Sequence, residues 1–170
     1  MSLKLMYITN NIEVAKIAEN YGVDRIFVDL EYMGKSERQK NLDTVKSSHS
    51  IDDVKKIKNI LSKSELLVRI NPINSDSANE IDKVIQNGAD VIMLPMFKTE
   101  EEVSTFIKLV NKRAHTCLLL ETIEAEILID DLLLLDGIDE MFIGLNDLHI
   151  SHNMKFMFEL LADGTVEMLS

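Results

Sequence analysis

The sequence predicts an α/β protein, a (β/α)8 TIM barrel truncated after about six strands, and three observations predict it. Arg69, Pro95, Glu121 and Asp147 fall in one register, each 26 residues after the last. Each closes a short apolar run: LLVR at 66–69, VIMLP at 91–95, CLLLE at 117–121 and MFIGLND at 141–147. A strand-plus-helix unit of this length is what a parallel barrel requires, and such barrels gather their catalytic groups at the carboxyl ends of the strands. Second, Gly22-Val23-Asp24, Gly88-Ala89-Asp90 and Gly137-Ile138-Asp139 each lead, within a residue, into an apolar strand. Glycine suits the left-handed residue just past a helix C-terminus, so this motif marks a helix-to-strand turn. Third, the segments between the apolar runs carry helical spacing.

The elements follow in order. A first strand is expected at 3–8, then a helix capped by Asn10 or Asn11 and carrying Val14, Ile17 and Ala18 on its apolar face. A second strand at 26–30 leads into the polar stretch 31–50, too long for a simple connector and read as a functional loop over the barrel mouth. Ser50-Ile51-Asp52-Asp53, Ser77-Ala78-Asn79-Glu80 and Thr99-Glu100-Glu101-Glu102 resemble capping boxes, the first with Asp in place of Glu. Each opens an apolar-periodic helix: Val54, Ile57, Ile60 and Leu61; Ile81, Val84 and Ile85; Val103, Phe106, Ile107 and Val110. Further strands are expected at 66–70, 91–95, 117–121 and 141–145, and the tail reads as a helix, a turn at Gly164 and the start of another helix. Six strands leave apolar edges that a closed barrel would not have. The expectation is a single barrel domain over 1–170 lacking its last two βα units, completed by further residues or a partner, and a homo-oligomer.

Composition bounds the partners. Hydrophobic residues at 46% and charged residues at 28% describe a globular chain. The net charge of −11 argues against nucleic acid or an anionic membrane as the main partner. No apolar stretch reaches the length of a membrane span, and the start, MSLKLMYI, lacks the apolar core of a signal peptide. The single Cys117 lies in an apolar run, as a buried and inert thiol would. A cytoplasmic location is the default expectation.

The candidate chemistry rests on residues at strand ends. Glu121 and Asp147 would leave most of a hard cation's coordination to water and substrate, which suits catalysis. The plainer alternatives are a surface salt bridge for Glu121 and helix capping for Asp147. Arg69 could hold a carboxylate in bidentate fashion and oppose charge on an enolate oxygen; alternatively it forms a buried ion pair with Glu121 or Asp29. Asp29, Glu31 and Tyr32, the other candidate catalytic residues, end the second strand. Asp29 interrupts an apolar run, where a carboxylate needs a partner, and could position a base or bind metal-bound water. Asn71 and Asn74 could assist Arg69 or shape the turn beside Pro72. His149 and His152 are candidate proton-transfer groups or solvated loop residues, with weaker claims for His49 and His115. Lys35, Arg38 and Lys40 could bind an anion or form a solvated face. No phosphate-binding glycine loop, nucleophile elbow or cysteine zinc cluster is present in the sequence.

At these residues the sequence resembles the HpcH/HpaI aldolase/citrate lyase family. The matching stretches are GVDRIFVDLEY, LLVRINP, NGADVIMLPMFKTEEEV, LLLETIEA and GIDEMFIGLNDL, which reach through most of 22–148. The resemblance implies a (β/α)8 barrel binding a divalent metal, commonly Mg or Mn. It further implies aldolase or lyase chemistry that makes or breaks a C–C bond through a pyruvate-type enolate. Glu121 and Asp147 would then be the metal ligands, and Arg69 would hold the keto acid and stabilise its enolate. Gly144 and its neighbours Leu145 and Asn146 would line the pocket for the substrate's carboxylate. The implied partners are a small-molecule 2-keto acid and an aldehyde. Two positions depart from the family's pattern: Tyr32 stands where aldolase members place a catalytic histidine, and Leu119 where they carry a glutamine. A CoA-ester lyase of the citrate lyase β type, or a catalytically silent keto-acid- and metal-binding relative, are the alternatives.

Overall fold

The computed structural model of the chain describes residues 3–33 and 48–169. The basic cluster Lys35, Arg38 and Lys40, and most of the loop expected over the mouth, lie outside the described residues. The chain forms two compact units, Met1–Met93 and Leu94–Ser170.

In the first unit, β1 (Met6–Ile8), β2 (Arg25–Asp29), β3 (Glu65–Arg69) and β4 (Val91–Leu94) alternate with α1 (Ile12–Asn20), α2 (Ile51–Lys58) and α3 (Ser77–Gln86). Consecutive strands pair in parallel, with Ile26 opposite Leu66, Asp29 opposite Arg69, and Arg69 opposite Met93. Leu66, Leu67 and Val68 are all fully buried, as a parallel sheet covered on both faces requires. In the second unit, α4 (Glu100–Val110), β5 (His115–Leu120), α5 (Ile123–Ile127), α6 (Ile129–Leu132), β6 (Glu140–Ile143), α7 (Leu145–Ser151), α8 (Glu159–Ala162) and α9 (Thr165–Leu169) follow one another. There β5 and β6 pair in parallel, Cys117 opposite Glu140 and Leu120 opposite Ile143.

The Gly-x-Asp repeat has a double role. Gly22, Gly88 and Gly137 take φ of +89°, +94° and +101°, the left-handed turn expected of them. At Gly137 space is also short, since a Cβ would lie 2.8 Å from Ile107 Cγ2. The aspartate of each motif then accepts a main-chain N–H at the start of the preceding strand segment. Asp24 Oδ2 accepts from Leu5 at 2.8 Å, Asp90 Oδ2 from Leu66 at 2.8 Å, and Asp139 Oδ2 from Thr116 at 2.8 Å. One motif therefore turns the chain and pins its neighbour.

Two capping boxes form as expected. Asp53 Oδ2 accepts from the Ser50 N–H and hydroxyl, and Glu102 Oε2 accepts from the Thr99 N–H while Thr99 Oγ1 accepts from the Glu102 N–H. The third does not form. Asp76 occupies the cap position of α3, Ser77 Oγ accepts from the Asn74 N–H, and the Glu80 carboxylate turns to Asn71. Asn11, not Asn10, caps α1; Asn10 reaches Asp53 instead. The first strand is shorter than the expected 3–8, because Leu5 spends its N–H on Asp24 and its carbonyl on the Asp24 and Arg25 N–H groups. Among the described residues, no helix is long and apolar enough to cross a membrane.

Candidate active site

In the first unit, the pairing of β2 with β3 sets Asp29 beside Arg69. Side chains alternate along a strand, so Phe27 and Asp29 share a face of β2. Arg69 Nε and Nη2 donate to Asp29 Oδ1 and Oδ2 at 2.8 and 2.9 Å, a bidentate pair. Glu31 Oε2 lies 3.4 Å from Arg69 Nη2, and the guanidinium carbon sits 5.6 Å from the centre of the Phe27 ring. The Asp29 and Glu31 side chains are 1% and 2% exposed and that of Arg69 is 14% exposed, so burial strengthens the charge pairing. Of the two sequence readings of Arg69, the buried pair with Asp29 is therefore present, and Glu31 adds a second carboxylate to it.

The chain leaving β2 is tied from both sides. The Glu31 N–H donates back to Asp29 Oδ1 at 3.2 Å. The Tyr32 and Met33 N–H groups donate to Asn71 Oδ1 at 3.0 and 3.1 Å. The Tyr32 side chain itself is 73% exposed. His49 has one of the weaker histidine claims by sequence, yet its Nδ1 accepts the Asp29 N–H at 2.9 Å, which puts a neutral ring's proton on Nε2. No local motif marks His49; only the fold brings it from the foot of α2 to the end of β2. A cavity of about 320 Å³ opens here, lined by Leu30, Tyr32, His49, Asn71, Asn74 and Glu80 among others.

In the second unit, Glu121 directly follows β5 and is 3% exposed. Its Oε1 accepts the Met96 N–H at 3.1 Å, and Met96 holds a left-handed φ of 55° that aims this N–H. Gly144 directly follows β6 and faces the same carboxylate. A Cβ at Gly144 would lie 2.9 Å from Glu121 Cβ, 3.0 Å from Leu119 Cδ1 and 3.1 Å from Glu121 Oε2. Leu119, one of the two departures from the family's pattern, thus packs against that glycine. Asp147 is half-buried in the first turn of α7, where the helix dipole favours a carboxylate, and Leu145 and Asn146 precede it there.

The two carboxylates fit a hard divalent cation by donor type. Glu121 is fixed through Oε1 by main chain, while Oε2 faces a residue without a side chain. Among the described residues, no cluster of three or more His, Cys, Asp or Glu side chains could hold a metal alone. A cation here would complete its sphere with water and substrate.

Two of the remaining histidines lie elsewhere than the sequence suggests. His149 and His152 belong to α7 and its C-cap rather than to a loop. His149 is buried with Nδ1 3.2 Å from the Leu145 carbonyl, and His152 Nε2 lies 2.7 Å from Glu126 Oε2. Leu148, just before His149, is fully buried. His115 is exposed at the start of β5, the opposite end of that strand from Glu121, and Cys117 is buried as expected.

Parallel strands alternating with helices, with Asp29 and Arg69 ending β2 and β3 and Glu121 following β5, define a (β/α) protein with charged residues at the carboxyl ends of its strands. A profile of the HpcH/HpaI aldolase/citrate lyase family matches residues 4–157, and the chain belongs to that family. It is similar in structure to the HpcH/HpaI aldolase from Desulfitobacterium hafniense DCB-2, at 15% identity and a TM-score of 0.76 over 98% of this chain and 72% of that one. A family protein from Burkholderia cenocepacia J2315 aligns at 13% identity and a TM-score of 0.75, covering 98% and 73%. The citrate synthase SbnG aligns at 15% identity and a TM-score of 0.77, covering 98% and 70%. At such identities the likeness establishes the fold. No curated protein matches the chain.

Proposed function

We propose that this chain is a divalent-metal-dependent aldolase or lyase that makes or breaks a C–C bond through the enolate of a 2-keto acid. The observation that carries the reading is Glu121: a carboxylate 3% exposed, anchored by a main-chain N–H and facing a glycine, in a chain of this family. Glu121 and Asp147 would hold Mg or Mn. When bound, that cation supplies Lewis-acid polarisation of the keto acid's carbonyl.

The chain's own residues do the rest. Asp29 locks the plane of the Arg69 guanidinium from one edge, so Arg69 presents a pre-oriented positive charge to the keto acid and to the oxygen on which enolate charge grows. Asp29 and Glu31 hold that charge in a buried setting, where a lone guanidinium would be costly. Gly144, Leu145 and Asn146 would line the pocket for the substrate's carboxylate. Tyr32 stands at the cavity rim where relatives are expected to carry a histidine, so a phenol or water replaces imidazole as the proton carrier. The partners are a small 2-keto acid and an aldehyde, and the functional assembly is a homo-oligomer in the cytoplasm.

The test is exchange of pyruvate methyl protons in heavy water, followed by NMR with and without Mn or Mg. Metal-dependent exchange should appear in the wild type and vanish in Glu121→Ala and Asp147→Ala. Full exchange in either variant would overturn the assignment. Metal binding without any exchange in the wild type would mark a catalytically silent relative.

A further inference from the structure

We infer that Glu80 and Asn71 form a positioning pair that sets the backbone of residues 30–33, and through it Glu31, against Arg69. The catalytic consequence rests on the proposed aldolase reading; the placement of the backbone does not.

Asn71 is 3% exposed, and every hydrogen-bonding position of its amide is used. Its Nδ2 donates to Glu80 Oε1 at 2.8 Å and lies 3.5 Å from the Leu30 carbonyl. Its Oδ1 accepts both the Tyr32 and the Met33 N–H groups. Its own N–H is shared between the two Glu80 oxygens at 3.3 Å. An asparagine amide can face either way, but an ionised carboxylate can only accept. Glu80 therefore selects one orientation: the NH2 group must face Glu80, and the oxygen must face the chain leaving β2.

That chain carries Glu31, whose N–H is held by Asp29 and whose Oε2 lies 3.4 Å from Arg69 Nη2. The short segment is thus held at one end by the Asp29–Arg69 pair and at the other by Asn71. Glu80 belongs to α3, whose capping box it leaves unmade in order to reach Asn71. Burial pushes the Glu80 carboxyl's pKa up, and the hydrogen bonds from Asn71 oppose that rise.

The sign of each hydrogen bond gives the test. In Asn71→Asp, two acceptors face each other and the pair should break. In the double variant Asn71→Asp with Glu80→Gln, the donor moves to position 80, while the carboxylate introduced at position 71 still accepts from Tyr32 and Met33. Two readouts are taken on the full chain with Mn: amide hydrogen exchange at Tyr32 and Met33, and kcat against KM for pyruvate proton exchange. Asn71→Asp should lose amide protection and lower kcat ~10–100-fold, the scale of an ångström-level misplacement, with KM changed less. The double variant should recover protection and come within ~10-fold of wild-type kcat. Unchanged protection in Asn71→Asp, or no recovery in a folded double variant, overturns the pair. Lost protection with full kcat overturns its catalytic role. A wild type without exchange overturns the aldolase reading, and amide protection alone then decides the pair.

Discussion

Replacing Gly144 with alanine probes the Glu121 environment with one carbon. The backbone there has φ −88°, which any residue adopts, so the effect comes from contact and not from conformation. The new Cβ would meet Glu121 Cβ at 2.9 Å and Leu119 Cδ1 at 3.0 Å, against ~3.5–4.0 Å for relaxed carbon pairs. A shortfall of roughly 0.5–1 Å on two sides must be taken up by Glu121, by Leu119 or by the strand ends. Overpacking of this kind costs ~1–3 kcal/mol of stability. Displacing an oriented ligand typically weakens metal binding ~10–100-fold. We expect Gly144→Ala to lower the urea midpoint and weaken Mn binding accordingly, with Mn titrated by electron paramagnetic resonance in the absence of substrate. Omitting substrate separates this effect from any at the carboxylate pocket. A variant with wild-type Mn affinity and unchanged unfolding would refute the placement of Gly144 against Glu121.

Asp29→Ala removes the bidentate partner of a largely buried guanidinium; stability should fall by ~3 kcal/mol, the low end for such truncations because Glu31 remains nearby. Urea denaturation reads this, and a loss below ~1 kcal/mol would mean that Arg69 finds other compensation. Burial pushes the Glu19 carboxyl up, but the N–H groups of Ser64, Lys63 and Ser62 outweigh it and bring the pKa from 4.5 down to about 2. A pKa lowered on folding gives stability that is complete above 4.5 and lost as pH falls toward about 2. Glu19→Gln should therefore flatten the unfolding free energy across that window without abolishing the acid limb, since Asp53 is also lowered to about 2. An acid limb identical to the wild type's would contradict this.

The barrel units are legible in the sequence because their signals are local. Apolar runs, the Gly-x-Asp turns and the Ser50 and Thr99 boxes each depend on residues within a few positions. The Glu80 box misleads for the opposite reason: Asn71, nine residues away and buried, is the stronger partner, and only the fold brings it there. The part played by His49 is hidden likewise, as its partner is a main-chain N–H twenty residues off. His149 and His152 read as loop residues because they follow the strand-end Asp147 closely, whereas the chain is already helical from Leu145 to Ser151 and Leu148 is buried. For Arg69, sequence offers substrate binding or a buried pair. The structure holds the pair, and under the proposed function the same pair orients the group for substrate.

The left-handed turn at Met96 has a consequence for how this protein can be altered. Its N–H holds Glu121 Oε1, so part of that carboxylate's orientation is written in the polypeptide backbone. Scanning mutagenesis would pass over position 96, because glycine or asparagine would keep the same N–H in place with less torsional strain. A β-branched residue, which resists positive φ, would disturb Glu121 without touching it. Removing the contact alone would require exchanging the amide for an ester.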